Sequence, residues 1–251
     1  MKQMMRYEKL LLAMIVFAGL STACKKDYFQ DTGLAKGKFD GSIMKYLESK
    51  PFYFDTLVQV IKLAGMQDVL EKERVTFFAP PNMSFDSTLS LTNTLLYAEG
   101  RDTIKRLDQI PAAIWKKMLG RYIFKGKNML NDYPQLDPVY FATYPGQFYA
   151  SYYGDLMNIG VIYNSEGGAQ YAGYRQLVIS YTPDITFKPV SWRLCFVASS
   201  NIEPDNGAVH VLRFAAGFRK QGNTLFYEPG HSFGFDPYEF YLLCKQYGVG
   251  E

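Results

Sequence analysis

Hydrophobic residues recur at helical spacing in the first part of the chain and at strand spacing in the second. Ser42 is placed to cap a short helix over residues 42–48. After Pro51 the apolar positions Phe54, Leu57, Val58, Ile61 and Ala64 fall three and four apart, and Gly65 ends the run. Residues 68–72 add a further turn of helix. The aromatic run Val75–Ala79, stopped by Pro80 and Pro81, predicts the first core strand, and Asn82 sits where it would cap a helix starting at Met83. A polar stretch over residues 93–106 separates that helix from the next, which Pro111 opens and which carries Ile114, Met118 and Tyr122 on one stripe.

From there to Val197 the period changes, and β-branched and aromatic residues punctuated by Gly and Pro predict strands over residues 148–153, 159–163, 177–181 and 192–197. Asn206-Gly207, whose tolerance of positive φ suits a tight turn, runs into an alternating strand that ends at Leu212. Residues 218–229 read as a hairpin with Gly222 and Asn223 in its turn. Asp236, Pro237 and Glu239 then supply the cap, the first position and the capping-box acid of a last helix, with the apolar stripe Phe240, Leu243, Cys244 and Tyr247. Helices first and strands afterwards predict an α+β chain with a largely antiparallel sheet.

Composition matters mainly at the amino terminus. Lys2, Arg6 and Lys9 precede the apolar run of residues 10–20, too short for a comfortable membrane span, and small residues lead to Cys24. Residues 1–23 therefore read as an export signal, and the pattern resembles the lipobox of bacterial lipoproteins, which implies that Cys24 is diacylated and anchors the chain to a membrane. The lipobox place three before the cysteine holds Ser21 rather than Leu. Residues 24–40 read as a flexible tether. Without residues 1–23 the formal charge falls from +3 to +3 − 3 + 1 = +1, and no basic cluster remains, which argues against a nucleic-acid partner. The apolar setting of Cys195 and Cys244 favours two buried free thiols over the bridge that an oxidising envelope would permit.

Two segments carry a family resemblance. TFFAPPNMSF supplies Thr76, Phe78, Ala79, Pro80, Asn82 and Phe85, and NGAVHVL supplies Asn206, Gly207, Val209 and His210. Together they resemble the two motifs of the fasciclin (FAS1) family, with Leu212 for the usual Ile. Between them the family has a helix ending in a Tyr-His or Asn-His pair, and here Tyr122 stands in the histidine place. The resemblance covers residues 41–218 and implies a FAS1 fold, a wedge of mainly antiparallel β-strands with packed helices, its two motifs side by side and His210 buried. Residues 219–251 read as a hairpin-and-helix extension packed on that domain. The Cys-Lys-Lys-Asp start and the GSIMKYLE lead-in resemble lipoproteins of the Bacteroidetes type.

Catalytic chemistry finds no support in the residues. GHSFG at residues 230–234 matches the nucleophile-elbow pattern, but His210 and His231 both precede Ser232, whereas a hydrolase of that type places its histidine after the serine. Two isolated histidines offer no zinc spacing, no calcium loop is present, and Asp86, Asp102, Asp108 and Asp132 form no marked pair, so neither metal nor cofactor is expected. Binding is better supplied. Residues 140–153 hold seven aromatic rings, of which Tyr149, Tyr153 and Tyr144 are the candidate ligand contacts. Tyr149 and Tyr153 are expected on one exposed strand face, with Phe148 and Tyr152 turned inward. The sequence therefore reads as a non-catalytic, lipid-anchored adhesion or ligand-binding module of the outer membrane, facing the surface or the periplasm. It would recognise an envelope or extracellular protein or a glycan, and could serve as an accessory to glycan uptake. A structural subunit of an outer-membrane complex is the alternative.

Overall fold

The computed structural model describes residues 37–186, 192–214, 217–221, 224–228 and 232–250, with backbone alone for 217–221 and 224–228. The segment expected to be an export signal, Cys24, His231, and Gly222 and Asn223, expected in the hairpin turn, lie outside the described residues. Among the described residues six helices and ten strands follow one another as β1 (Lys38–Phe39), α1 (Ile43–Glu48), α2 (Pro51–Leu63), α3 (Gln67–Lys72), β2 (Val75–Ala79), α4 (Asn82–Ala98), α5 (Ala112–Gly120), β3 (Ile123–Lys125), β4 (Gln147–Ala150), β5 (Leu156–Tyr163), β6 (Arg175–Tyr181), β7 (Arg193–Pro204), β8 (Gly207–Leu212), β9 (Gly217–Gln221), β10 (Thr224–Glu228) and α6 (Pro237–Tyr247).

The fold is α+β. The main sheet runs in the order β3-β2-β8-β7-β6-β5-β4, with β1 added beside β7, and β9 and β10 form a separate antiparallel hairpin. Two pairings are parallel, β2 with β8 and β1 with β7, and the rest are antiparallel. The two ends of the sheet approach each other: the N–H of Tyr152, just beyond β4, donates to the carbonyl of Ile123 in β3 at 2.7 Å. That bond bends the sheet toward closure around the core. One hydrophobic core draws on α1, α2, α4, α5 and α6 and on the inner sheet face, which includes Met157, Ile159, Leu177, Ile179 and Cys195. Cys195 and Cys244 are both buried and unbridged.

Several local expectations change for physical reasons. Strand β1 lies inside the stretch 24–40 expected to be a tether, pairing Lys38 and Phe39 with Glu203 and Pro204. Helix α4 continues to Ala98, through part of the polar stretch, because Leu96 is buried in the core and the Thr94 hydroxyl is satisfied by the carbonyl of Ser90 one turn back, at 2.9 Å. Helix α5 stops at Gly120, so Tyr122 stands beyond its end rather than on its stripe. Asn82 is not a helix cap, since Pro81 holds that position and makes no side-chain bond. The Asn82 amide instead accepts from Thr56 N–H at 3.1 Å and donates to the carbonyls of Pro51 and Phe52 and to Asp55, splicing the start of α4 to α2. Asp236 caps α6 by accepting from Tyr238 and Glu239 N–H, but Glu239 does not reach back to complete a box. Its carboxylate turns to Arg121.

Neither Asn206 nor Gly207 adopts a positive φ. Gly207 is required because β8 runs so close to β2 that a Cβ there would lie 1.9 Å from the carbonyl oxygen of Val75. Backbone cannot yield as a flexible side chain could. Gly207→Ala is therefore expected to lower stability by about 1–3 kcal/mol in chemical denaturation; an unchanged midpoint would show that β2 and β8 do not run this close.

Candidate recognition surface

The residues of the two motifs come together at the centre of the sheet. Along the parallel β2–β8 register Thr76 faces Ala208, Phe77 faces Val209, Phe78 faces His210 and Ala79 faces Val211. Pro80 is buried at the end of β2, and the Thr76 hydroxyl donates to Gly126 O at 2.9 Å while accepting from Asn128 N–H at 2.8 Å. His210 is wholly buried. Its Nε2 lies 3.0 Å from Asn128 O and its Nδ1 accepts from Asn201 N–H at 3.3 Å, an arrangement that only the neutral Nε2–H tautomer satisfies. Burial pushes its pKa down to about 4, against a smaller upward pull from the Asn128 carbonyl. Both ring nitrogens are thus engaged by backbone, and His210 has none left to serve as a base.

Tyr122 and Phe85 meet the segment that carries the elbow-like sequence. The ring of Phe233 stacks on Phe85 at 4.5 Å and lies 5.8 Å from Tyr122, while Phe235 covers the other side of Tyr122 at 5.0 Å. The Tyr122 hydroxyl accepts from Gly234 N–H at 2.7 Å, and the Thr88 hydroxyl accepts from Phe233 N–H at 2.7 Å. Ser232 therefore opens a plug in the core. Beside it Arg121, 1% exposed, forms a two-pronged ion pair with Glu239 at 2.8 and 2.9 Å and donates to Gly234 O at 2.7 Å. Burial alone would raise the Glu239 carboxyl, but the bonds and charges of Arg121 and Lys117 outweigh it and hold its pKa below the ordinary value. Among the described residues no group of three or more His, Cys, Asp or Glu is placed to hold a metal ion.

The aromatic run does not form the strand face expected of it. Strand β4 ends at Ala150, and the chain then turns through residues 151–154, so Tyr149 and Tyr153 share no face. Tyr149 turns inward, edge-on to Tyr133 at 5.5 Å, and is partly buried against the core. Tyr153 lies over Gly120, where a Cβ would sit 2.1 Å from its ring, and remains 43% exposed near Lys116. Phe148, expected inside, instead packs on the other face of the sheet against Trp192 at 5.3 Å, and Trp192 meets Phe141 at 5.3 Å. Side-chain size does not decide the matter; the pleat does.

Tyr144 does join a ring cluster, with partners that the sequence reading missed. It stands edge-on to Tyr171 at 5.8 Å, and Tyr171 in turn to Tyr163 at 6.4 Å, with the Arg175 guanidinium 3.5 Å above the Tyr163 ring. Asp137 joins the two loops involved: one carboxylate oxygen accepts from Val139 and Tyr140 N–H, and the other accepts from the Tyr171 hydroxyl at 2.8 Å. Burial pulls the Asp137 carboxyl up, yet these three donors outweigh it and lower its pKa; the Tyr171 hydroxyl, raised by desolvation and then by Asp137, is pushed up to about 12. Tyr171 holds a φ of 60°, a conformation a bulky residue adopts only when its surroundings impose it. Around this fixed cluster Tyr140 is 54% and Tyr174 67% exposed. The available signal was the stretch of residues 163–175, where three tyrosines alternate with glycines.

No family model matches the chain, and no curated protein matches it. Among solved structures the chain is similar to the FAS1 domain pair from the insect cell adhesion molecule fasciclin I, with a TM-score of 0.44 and 18% identity, over 68% of this chain and 49% of that one. The chain thus spans about half the length of that structure.

The buried neutral imidazole makes a pH prediction with a definite sign. Because the pKa of His210 falls on folding from 6.5 to about 4, the unfolded chain takes up the proton first and stability drops as pH falls through that interval. Unfolding free energy should decrease by about 1.5 kcal/mol between pH 6.5 and 5, above the range in which ordinary carboxylates titrate. His210→Gln should flatten that slope in urea titrations. A wild-type profile already flat there would mean that the folded protein protonates His210 freely.

Proposed function

We propose that this chain is a FAS1-type recognition module of the bacterial cell envelope, held to the outer membrane by lipid on Cys24, and that it binds a glycan or protein without catalysing a reaction. The adhesion role is the one the FAS1 resemblance implies, and the packing of both motifs on adjacent central strands agrees with that resemblance. The observation that carries the binding reading is the tyrosine cluster around Asp137 and Tyr171. It presents Tyr140 and Tyr174 to solvent from loops that are already fixed, so binding would cost little ordering. A tyrosine offers a broad apolar face to a sugar ring or a protein side chain and a hydroxyl at its tip. Against an enzyme stand the engaged nitrogens of His210 and the role of the segment after Ser232 as a core plug. Access to the envelope, an accessory role in glycan uptake and the side of the membrane faced belong to this proposal as well.

Two measurements test it. Tyr140→Ala with Tyr174→Ala should weaken binding on an array of polysaccharides and purified envelope proteins about ten-fold or more, at roughly 1 kcal/mol per lost aromatic contact, while the melting temperature stays within a few degrees. Full binding by the double variant would remove the cluster as the contact surface. Cys24→Ser should move the protein from the membrane fraction to the soluble fraction of cells expressing the full chain; unchanged membrane partition would overturn the anchoring.

A further inference from the structure

A second exposed aromatic surface lies where helices α2 and α4 begin. Phe52 is 85%, Tyr53 55% and Met83 56% exposed. The Asn82 amide ties the two helix starts together by bonding to Thr56 N–H and to the carbonyls of Pro51 and Phe52, so the three apolar side chains project from one rigid joint. Phe52 and Tyr53 stand edge to face at 5.0 Å and so keep their outer surfaces open. The charges that neighbour these residues along the chain are mixed: Lys50, Asp55 and Asp86.

The position of this surface relative to the chain's entry identifies what covers it. From Phe39 in β1, the first strand of the described chain, a row of rings leads to the joint: Phe39 to Tyr46 at 5.4 Å, Tyr46 to Phe54 at 6.2 Å, Phe54 to Tyr53 at 6.2 Å and Tyr53 to Phe52 at 5.0 Å. Phe52 therefore lies no more than the sum of four ring spacings from the point where the amino-terminal segment joins the sheet. Residues 24–36 can span at most about 45 Å when fully extended. Lipid on Cys24 would therefore leave the joint free to reach the bilayer surface, where exposed Phe, Tyr and Met partition into the headgroup region.

We infer that the Phe52, Tyr53 and Met83 surface docks on the lipid bilayer and orients the domain on the membrane that anchors it. A diacylated Cys24 would hold the chain to the membrane but leave its orientation free, and three apolar side chains alone bind weakly; the lipid supplies the attachment and the joint supplies the orientation. With both signs of charge at the joint, insertion of apolar surface drives the docking, and it should depend little on salt or on anionic lipid.

The inference rests on the anchoring proposed above for its geometry, so the test supplies the anchor chemically. The chain from Cys24 onward is coupled through the Cys24 thiol to maleimide-bearing lipid in phosphatidylcholine vesicles, a reaction that spares the buried Cys195 and Cys244. Phe52→Trp serves as the reporter and Tyr97→Trp, exposed at the far end of α4, as the control, each read as its difference from the parent chain with its buried Trp115 and Trp192, with brominated phosphatidylcholine as quencher. Docking predicts that the reporter indole is blue-shifted and quenched at least about two-fold more than the control indole, equally at low and high salt, with the difference abolished by adding Tyr53→Ser and Met83→Ser. Equal quenching of the two indoles, or a difference that survives those serines, would overturn the inference. Failure of Cys24→Ser to release the protein in cells would overturn the anchoring alone.

Discussion

The parallel register of β2 and β8 is the constraint on which the rest of the chain depends. Two adjacent parallel strands need a crossover, and here that crossover holds everything from Pro80 to Asn206, including α4, α5 and five strands. The strands can approach only where Gly207 meets the Val75 carbonyl without a side chain. Asn206 fixes the start of the pair from the side. Its Oδ1 accepts from Ile43 N–H at 2.8 Å, and its Nδ2 donates to the carbonyls of Leu70 and Glu73 at 3.0 and 2.9 Å. The register then puts His210 opposite Phe78 and within bonding distance of the loop at Asn128, which fixes the approach of residues 126–130.

The carboxy-terminal segment is held by a different kind of bond. Arg121 is buried and Glu239 only half-buried, so removing the carboxylate would leave the enclosed guanidinium with the more distant Asp155 as its remaining counter-charge, which makes the pair costly to break from that side. The guanidinium recovers much of what it loses through Gly234 O and through the Tyr181 ring, 4.2 Å from its central carbon. Tyr122 stands next to it, and its hydroxyl receives Gly234 N–H. Tyr122 thereby ties the end of α5 to the segment that leads into α6. Phe233, Phe235, Phe240 and Tyr241 consequently share one core with α4 and α5.

The sequence made β6 legible as a short apolar run, because the strand is buried on both faces from Leu177 to Tyr181, Val178 and Ser180 included. It was far less legible after β4. A turn of a few residues at 151–154 reverses the direction in which Tyr153 points, and no periodicity records such a turn. The short edge strands β1 and β3 were missed because two or three residues carry no period. Asp137 was missed for another reason. Its importance lies in joining Tyr140 to Tyr171, residues far apart in the chain, and only the folded arrangement brings those donors to one carboxylate.

Asparagine at three of these joints has a common physical basis. An amide accepts at one atom and donates twice at the other, so a single side chain can satisfy a loose N–H and a loose carbonyl at once. Asn206 does so between α1 and α3, Asn82 within the first turns of α2, and Asn93 for both the N–H and the carbonyl of Ile104, at 2.7 and 2.8 Å. Aspartate could accept but not donate, and serine is too short to span the same gap. Helix ends and loop backbones leave unpaired groups of both kinds, and burying them unmet would cost more than any single apolar contact returns. The two motif asparagines are therefore better understood as splices between distant backbone segments than as turn formers or helix caps. The same splice at Asn82 that closes the core also holds Phe52, Tyr53 and Met83 outward, so the rigidity of the exposed joint follows from the packing beneath it.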